Sequence, residues 1–208
     1  MSYTGIVDYG VGNLFSLASS LRHIGVESVV TSDVNELARA DRIILPGVGA
    51  FGDAMKKLEA TGLIPALSGM VKDGKPFLGI CLGMQMLFER SFEYGEHRGL
   101  GWIKGSVVPM EPELKRQGLS AKIPHMGWNS LDIAKPDSPL LKNTPDGSFV
   151  YFVHSYCASQ CEESVSAWSD YGIRVPAAVE NGNVFGCQFH PEKSGDTGLR
   201  ILKAFTEI

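Results

Sequence analysis

Apolar positions in the first hundred residues switch repeatedly between two periods. Short continuous runs at residues 4–7, 28–31, 42–45 and 76–80 read as strands. Between them Leu14, Leu17, Ala18, Leu21 and Ile24 recur every three or four residues, which predicts a helix over 14–24 stopped by Gly25. Further helices are predicted over 34–40, 53–59, 65–72 and 83–89, and Pro46-Gly47-Val48-Gly49 is expected to break its strand sharply. Strands alternating with helices imply parallel pairing, with each strand buried on both faces. Beyond about residue 100, Pro, Gly and Trp punctuate short strands such as 148–153 and 183–189. The expected fold class is therefore α/β: a mostly parallel central sheet flanked by helices, with a more antiparallel C-terminal half. Neither an internal repeat nor a long linker divides the chain, so residues 1–208 read as one domain.

Composition narrows the function classes. The 19 Lys and Arg against 23 Asp and Glu leave a net charge of -4, which argues against a nucleic-acid partner held by a basic surface. A 44% hydrophobic content excludes a disordered or fibrous chain. The most apolar stretch, 77–88, is shorter than the roughly 20 residues that span a bilayer. The N-terminus lacks the charged and apolar regions of a signal peptide. Cys81, Cys157, Cys161 and Cys187 form no CxxC pair, so a reducing cytoplasm is the expected location.

Chemistry concentrates at the predicted carboxyl ends of the strands, where ligands of parallel sheets bind. Gly79-Ile80-Cys81-Leu82-Gly83 has the form G-x-nucleophile-x-G between a strand and a helix. Small residues must flank so tight a turn, and the start of the following helix favours thiolate over thiol. The same residues also suit a buried cysteine in a Gly-punctuated turn, and the motif alone leaves both readings open. Later in the chain a strand ends in His190-Pro191-Glu192. Pro191 holds its predecessor extended, so Glu192 is placed to orient His190 while the other ring nitrogen faces a thiol. Together with Cys81 this is the nucleophile, base and orienter set of acyl transfer. Gly47, Val48 and Gly49 form a glycine-rich turn whose amides suit an oxyanion, although taken by itself a plain strand-to-helix turn is the favoured reading. Gly10-Val11-Gly12 lacks the third glycine of a dinucleotide fingerprint, since Phe15 stands there. Cys157, Cys161 and His154 fall short of the four ligands of structural zinc, so neither a metal nor a cofactor is expected.

Taken together, Gly79 to Gln85, His190-Pro191-Glu192 and Pro46 to Gly49 resemble the triad-type, class I glutamine amidotransferases. With Asp8 to Asn13, Pro124 to Asn129, Tyr151 to Tyr156 and Lys193-Ser194 added, the resemblance is closest to the glutaminase subunits of imidazole glycerol phosphate synthase. These motifs run from residue 8 to residue 194. The resemblance implies a flavodoxin-like fold and a glutaminase that forms a thioester on Cys81, with His190 as base and Glu192 as its orienter. It assigns the oxyanion hole to Leu82 and to Gly47, Val48 and Gly49, and the hold on the glutamine amino-acid moiety to Gln85, His154, Ser155 and Tyr156. It also implies a heterodimer with the cyclase subunit HisF, a (β/α)8 barrel that receives the ammonia. Asn13, Trp128 and Lys193 fall at that interface; a place in the core is the other reading of Trp128, and the loop-like, glycine-broken stretch 125–129 favours the interface. A barrel alone takes about 250 residues, so the acceptor site is expected on another chain. The products would be imidazole glycerol phosphate and an aminoimidazole carboxamide ribonucleotide.

Three other readings stay open. The glutaminase of another ammonia-channelling synthase, such as pyridoxal phosphate synthase, would carry a different glycine-rich loop from Pro46-Gly47-Val48-Gly49. A non-catalytic regulatory partner would not need Cys81, His190 and Glu192 together. A small cysteine hydrolase would not need Gln85 with His154-Ser155-Tyr156. Residues 105–120 and 157–172 carry no assigned motif and are expected to be variable loops.

Overall fold

A computed structural model describes residues 2–208 of the chain. Its first part alternates strand and helix as the apolar pattern requires: β1 Thr4–Val7, α1 Leu14–His23, β2 Ser28–Thr31, α2 Val34–Arg39, β3 Arg42–Gly47, α3 Phe51–Ala60, α4 Ile64–Lys72, β4 Phe77–Cys81 and α5 Leu82–Met86. Then follow β5 Phe88–Ser91, β6 His97–Arg98, β7 Ile103–Pro109, α6 Glu111–Arg116, β8 His125–Ser130, β9 Asp132–Ile133, β10 Phe149–His154 and β11 Tyr156–Ser159. The chain closes with β12 Val165–Asp170, β13 Arg174–Asn181, β14 Val184–Cys187 and α7 Gly195–Phe205.

The main sheet has the strand order β2-β1-β3-β4-β14-β13-β12-β9. Pairing is parallel from β2 through β14 and antiparallel from β14 to β9. The continuous apolar runs have a simple cause: neighbouring residues feed opposite layers. Ile43, Leu45 and Phe77 pack into one core with the α3 and α4 side, while Ile44, Leu78 and Ile80 pack into the other with α1 and α7. A ribbon of β8 and β10, and a second sheet in the order β11-β7-β5-β6, lie beside it.

The sheet register builds the edge on which the chemistry stands. Gly47 pairs with Cys81, and Cys187 pairs with Ile80, so the ends of β3, β4 and β14 finish side by side. Two glycines make this possible. A Cβ at Gly79 would come within 2.6 Å of the Gly83 carbonyl oxygen, and one at Gly83 would overlap the Leu45 carbonyl oxygen. Only hydrogen fits at either position, so α5 can start directly on the last residue of β4.

The structure corrects four expectations. Pro46 and Gly47 continue β3, because their partners in β4 continue as far as Cys81. The helix expected over 83–89 stops at Met86; Phe88 turns away to pair with Ile103 and starts a strand of the second sheet. Residues 125–129, expected to be loop-like, form β8 against β10, with His125 buried and Met126 and Trp128 outward. The two stretches expected to be loops hold β7 with α6, and β11 with β12. Gly83→Ala should cost about 2–4 kcal/mol, since the clash is with backbone and no side chain can rotate away. Urea denaturation against the wild type checks this.

Candidate active site

Cys81 ends β4 with φ 55° and ψ -111°, a conformation L-residues seldom adopt. The strain is held by the two glycine contacts on either side and turns the thiol toward the open end of the sheet. Its Sγ lies 3.9 Å from the Val153 carbonyl oxygen, and Gln188 Nε2 donates to it at 3.8 Å.

His190 and Glu192 flank Pro191, as the sequence implies. His190 Nδ1 lies 2.8 Å from Glu192 Oε1, and both side chains are 3% exposed. Cys81 lines the same cleft as His190. Burial opposes the imidazolium, but hydrogen bonds and charge from Cys81 and Glu192 outweigh it and raise His190 to about 9. Ser194 fixes this turn to its neighbour: its Oγ donates to the His190 carbonyl at 2.6 Å and accepts from the Tyr151 N–H at 2.9 Å. The His190 N–H in turn donates to the Tyr151 carbonyl at 2.9 Å.

These groups open into a cleft of about 290 Å3 whose lining includes Cys81, His190, Val48, Gly49, Leu82, Gln85, His154, Ser155 and Tyr156. Nearly every predicted pocket residue is thus brought together. Gly47 is the exception; it lies beneath the cleft, where a Cβ would come within 2.7 Å of the Gly83 nitrogen. Gln85 is buried and already engaged, its Nε2 donating to the Tyr156 carbonyl and to Gln188 Oε1, both at 3.0 Å. His154 points Nδ1 at the Tyr156 carbonyl at 2.8 Å, and burial holds it down at about 3.

The sequence reading missed two polar residues here. Glu93 lines the cleft and accepts the Phe51 N–H at 2.6 Å, capping α3 where no local side chain does so. Nothing in the spacing of a hairpin residue betrays that role. Gln188 bridges Gln85 to Cys81, and its place two residues before His190 was a usable signal. The expected interface residues lie elsewhere on the surface. Trp128 is 53% exposed on β8, which removes it from the core; Lys193 is exposed next to Glu192; Asn13 is half-buried ahead of α1 and precedes Phe15, itself 83% exposed. A larger open hollow at the β2 edge, lined by Tyr3, Arg22 and Arg39 among others, holds neither cysteine nor histidine. Among the described residues no cluster of His, Cys, Asp and Glu could hold a metal ion. Cys157 and Cys161 are buried free thiols pushed up to about 12 by burial.

The geometry is that of a cysteine acyl-transfer site, and a family model, glutamine amidotransferase class-I, matches residues 5–207. The chain belongs to the class-I glutamine amidotransferases. Among curated amidotransferases it is 50% identical to the imidazole glycerol phosphate synthase subunit HisH of Caldanaerobacter subterraneus, covering 98% of this chain and 97% of that one. The subunit of that name from Bacillus cereus is 52% identical over 98% of this chain and 93% of its own. A crystal structure of a glutamine amidotransferase shares the amidotransferase fold, with a TM-score of 0.76 at 20% identity over 99% of this chain and 98% of that one.

Because His190 rises from 6.5 to about 9 on folding, its partners add stability that is fully present below about pH 6.5 and lost as pH climbs through about 9. Urea denaturation at a series of pH values should show that decline, and Glu192→Gln should flatten it.

Proposed function

We propose that the chain is the glutaminase subunit of an imidazole glycerol phosphate synthase, releasing ammonia from the side-chain amide of glutamine. The observation that carries this reading is the buried His190–Glu192 pair beside Cys81 in one amino-acid-sized cleft. Half identity to subunits of that name over nearly the whole chain supports the choice of synthase.

The chemistry follows from the placement of each group. The neutral ring of His190 takes the Cys81 proton, becoming the imidazolium that Cys81 and Glu192 favour, and the thiolate attacks the amide carbon. Backbone N–H groups of Leu82 and of Val48 and Gly49, just past the end of β3, receive the oxyanion. His190 then gives its proton to the departing nitrogen, leaving a thioester and ammonia. A water molecule, deprotonated by His190, cleaves the thioester to glutamate and frees Cys81. Glu192 keeps the ring oriented and balances its charge throughout. Gln85, His154, Ser155 and Tyr156 hold the amino-acid end of the substrate, and the Glu93 carboxylate suits its ammonium group.

Ammonia formed here needs an acceptor, and we place it on a cyclase subunit of HisF type, a barrel docked in a heterodimer. Its products would be imidazole glycerol phosphate and the aminoimidazole carboxamide ribonucleotide. Exposed Phe15, Met126, Trp128 and Phe149 give this chain apolar surface of the kind interfaces bury, with Asn13 and Lys193 as polar contacts. The chain acts as one amidotransferase domain in the cytoplasm and uses no cofactor.

The test is glutamate release by the chain alone and with a cyclase partner carrying its ribonucleotide ligand. Little release alone and strong release in the complex is expected, because the partner is taken to switch the glutaminase on; strong release alone would remove that dependence, and none in either state would overturn the glutaminase. Cys81→Ala should abolish release while leaving the complex intact by gel filtration. Trp128→Ala should weaken the complex roughly tenfold or more, as truncation of an interface aromatic does, with little change in the melting temperature of the isolated chain.

A further inference from the structure

His125 and His154 stand opposite each other in the β8–β10 register, and His125 Nδ1 lies 2.9 Å from His154 Nε2. The hydrogen-bond chain through these two rings ends on an acceptor at both ends. At one end His154 Nδ1 meets the Tyr156 carbonyl at 2.8 Å; a carbonyl only accepts, so this nitrogen carries a hydrogen. At the other end Asn129 Nδ2 donates to the Asp170 carbonyl at 2.9 Å. That fixes which way the amide faces and turns its Oδ1 to His125 Nε2, also at 2.9 Å. His125 Nε2 therefore carries a hydrogen as well. The contact between the rings needs a third, because two bare nitrogens 2.9 Å apart would set lone pair against lone pair. Three hydrogens on four ring nitrogens amount to one imidazole and one imidazolium.

The surroundings place the charge on His125. Its ring is stacked between Tyr171, 4.0 Å away and tilted 21°, and Phe152, 4.7 Å away and tilted 19°. Two aromatic faces are a favourable cover for a buried cation. His154 is the poorer site: burial drives its value down, and the charges of His125 and His190 lower it further. Burial also draws His125 downward, against the Asn129 bond. The other titratable neighbours do not compete for the proton. Tyr171 offers its ring face while its hydroxyl donates to the Lys122 carbonyl. Asp170 reaches the pair only through its carbonyl, its carboxylate accepting from the Gly172 N–H.

We propose that His125 is a buried imidazolium and a positioning residue for the cleft. It locks His154 in one tautomer and sets a positive charge one ring behind the wall formed by His154, Ser155 and Tyr156. There the charge complements the carboxylate of an amino-acid substrate. The carboxylate role rests on the glutaminase reading; the protonation state does not.

The direct test is nitrogen NMR of the full chain labelled at histidine, alone and with a cyclase partner, over the pH range in which it releases glutamate. Both ring nitrogens of His125 should appear in the imidazolium range, with coupling across the bond to His154. One bare nitrogen on His125 throughout would overturn the proposal. Asn129→Asp should raise the pH at which His125 gives up its proton by about a unit, and Asn129→Leu should lower it; equal titration in both would also overturn it. His125→Phe keeps the stacked ring and removes both donors. It should raise KM for glutamine roughly tenfold and leave kcat within about twofold, whereas a loss confined to kcat would overturn the carboxylate role. Absence of glutamate release by the wild type would overturn the glutaminase reading, and with it the carboxylate role, while the spectrum still decides the protonation state.

Discussion

The closeness with which the chain passes itself at Gly83 governs the whole active edge. With only hydrogen between that residue and the Leu45 carbonyl, β3 and β4 can finish together and α5 can begin without a loop. Cys81 takes up an otherwise unfavourable backbone conformation and lines the cleft. The register with β14 then delivers Gln188 and His190 to the same place. A single steric allowance thus converts a plain parallel sheet into a support for three reacting groups that are far apart in sequence.

Charge is distributed over that support by opposing uses of burial. His190 and His154 share one cleft, yet one is raised and the other depressed. The difference lies in their partners: His190 faces a carboxylate and a thiol, whereas His154 faces a carbonyl and another imidazole. The first can hold a proton ready for a leaving group, and the second serves as a fixed neutral element of the wall.

Much of this was legible in the sequence because the deciding signals are local. The strands at 4–7 and 28–31 were read to the residue, since polar Asp8 and Ser32-Asp33 end the two runs. The turn at Cys81 and the His190-Pro191-Glu192 unit carry their geometry in their own glycines and proline. What escaped depends on distant partners. The five-residue α5 looked longer because Leu87 and Phe88 extend its apolar spacing, and only pairing with Ile103 diverts Phe88 into β5. Residues 125–129 became a strand only through β10. Glu93 entered the cleft because α3, 42 residues earlier, offers it an uncapped N–H.

All four cysteines are buried, and what separates them is what each one faces. Cys157, Cys161 and Cys187 are enclosed, and burial holds all three as unreactive neutral thiols. Cys81 alone among them lines the cleft. The folded chain is in effect a single-thiol reagent: an alkylating probe small enough to enter would mark one site per molecule. A dye or crosslinker could then be installed there without prior removal of any other cysteine.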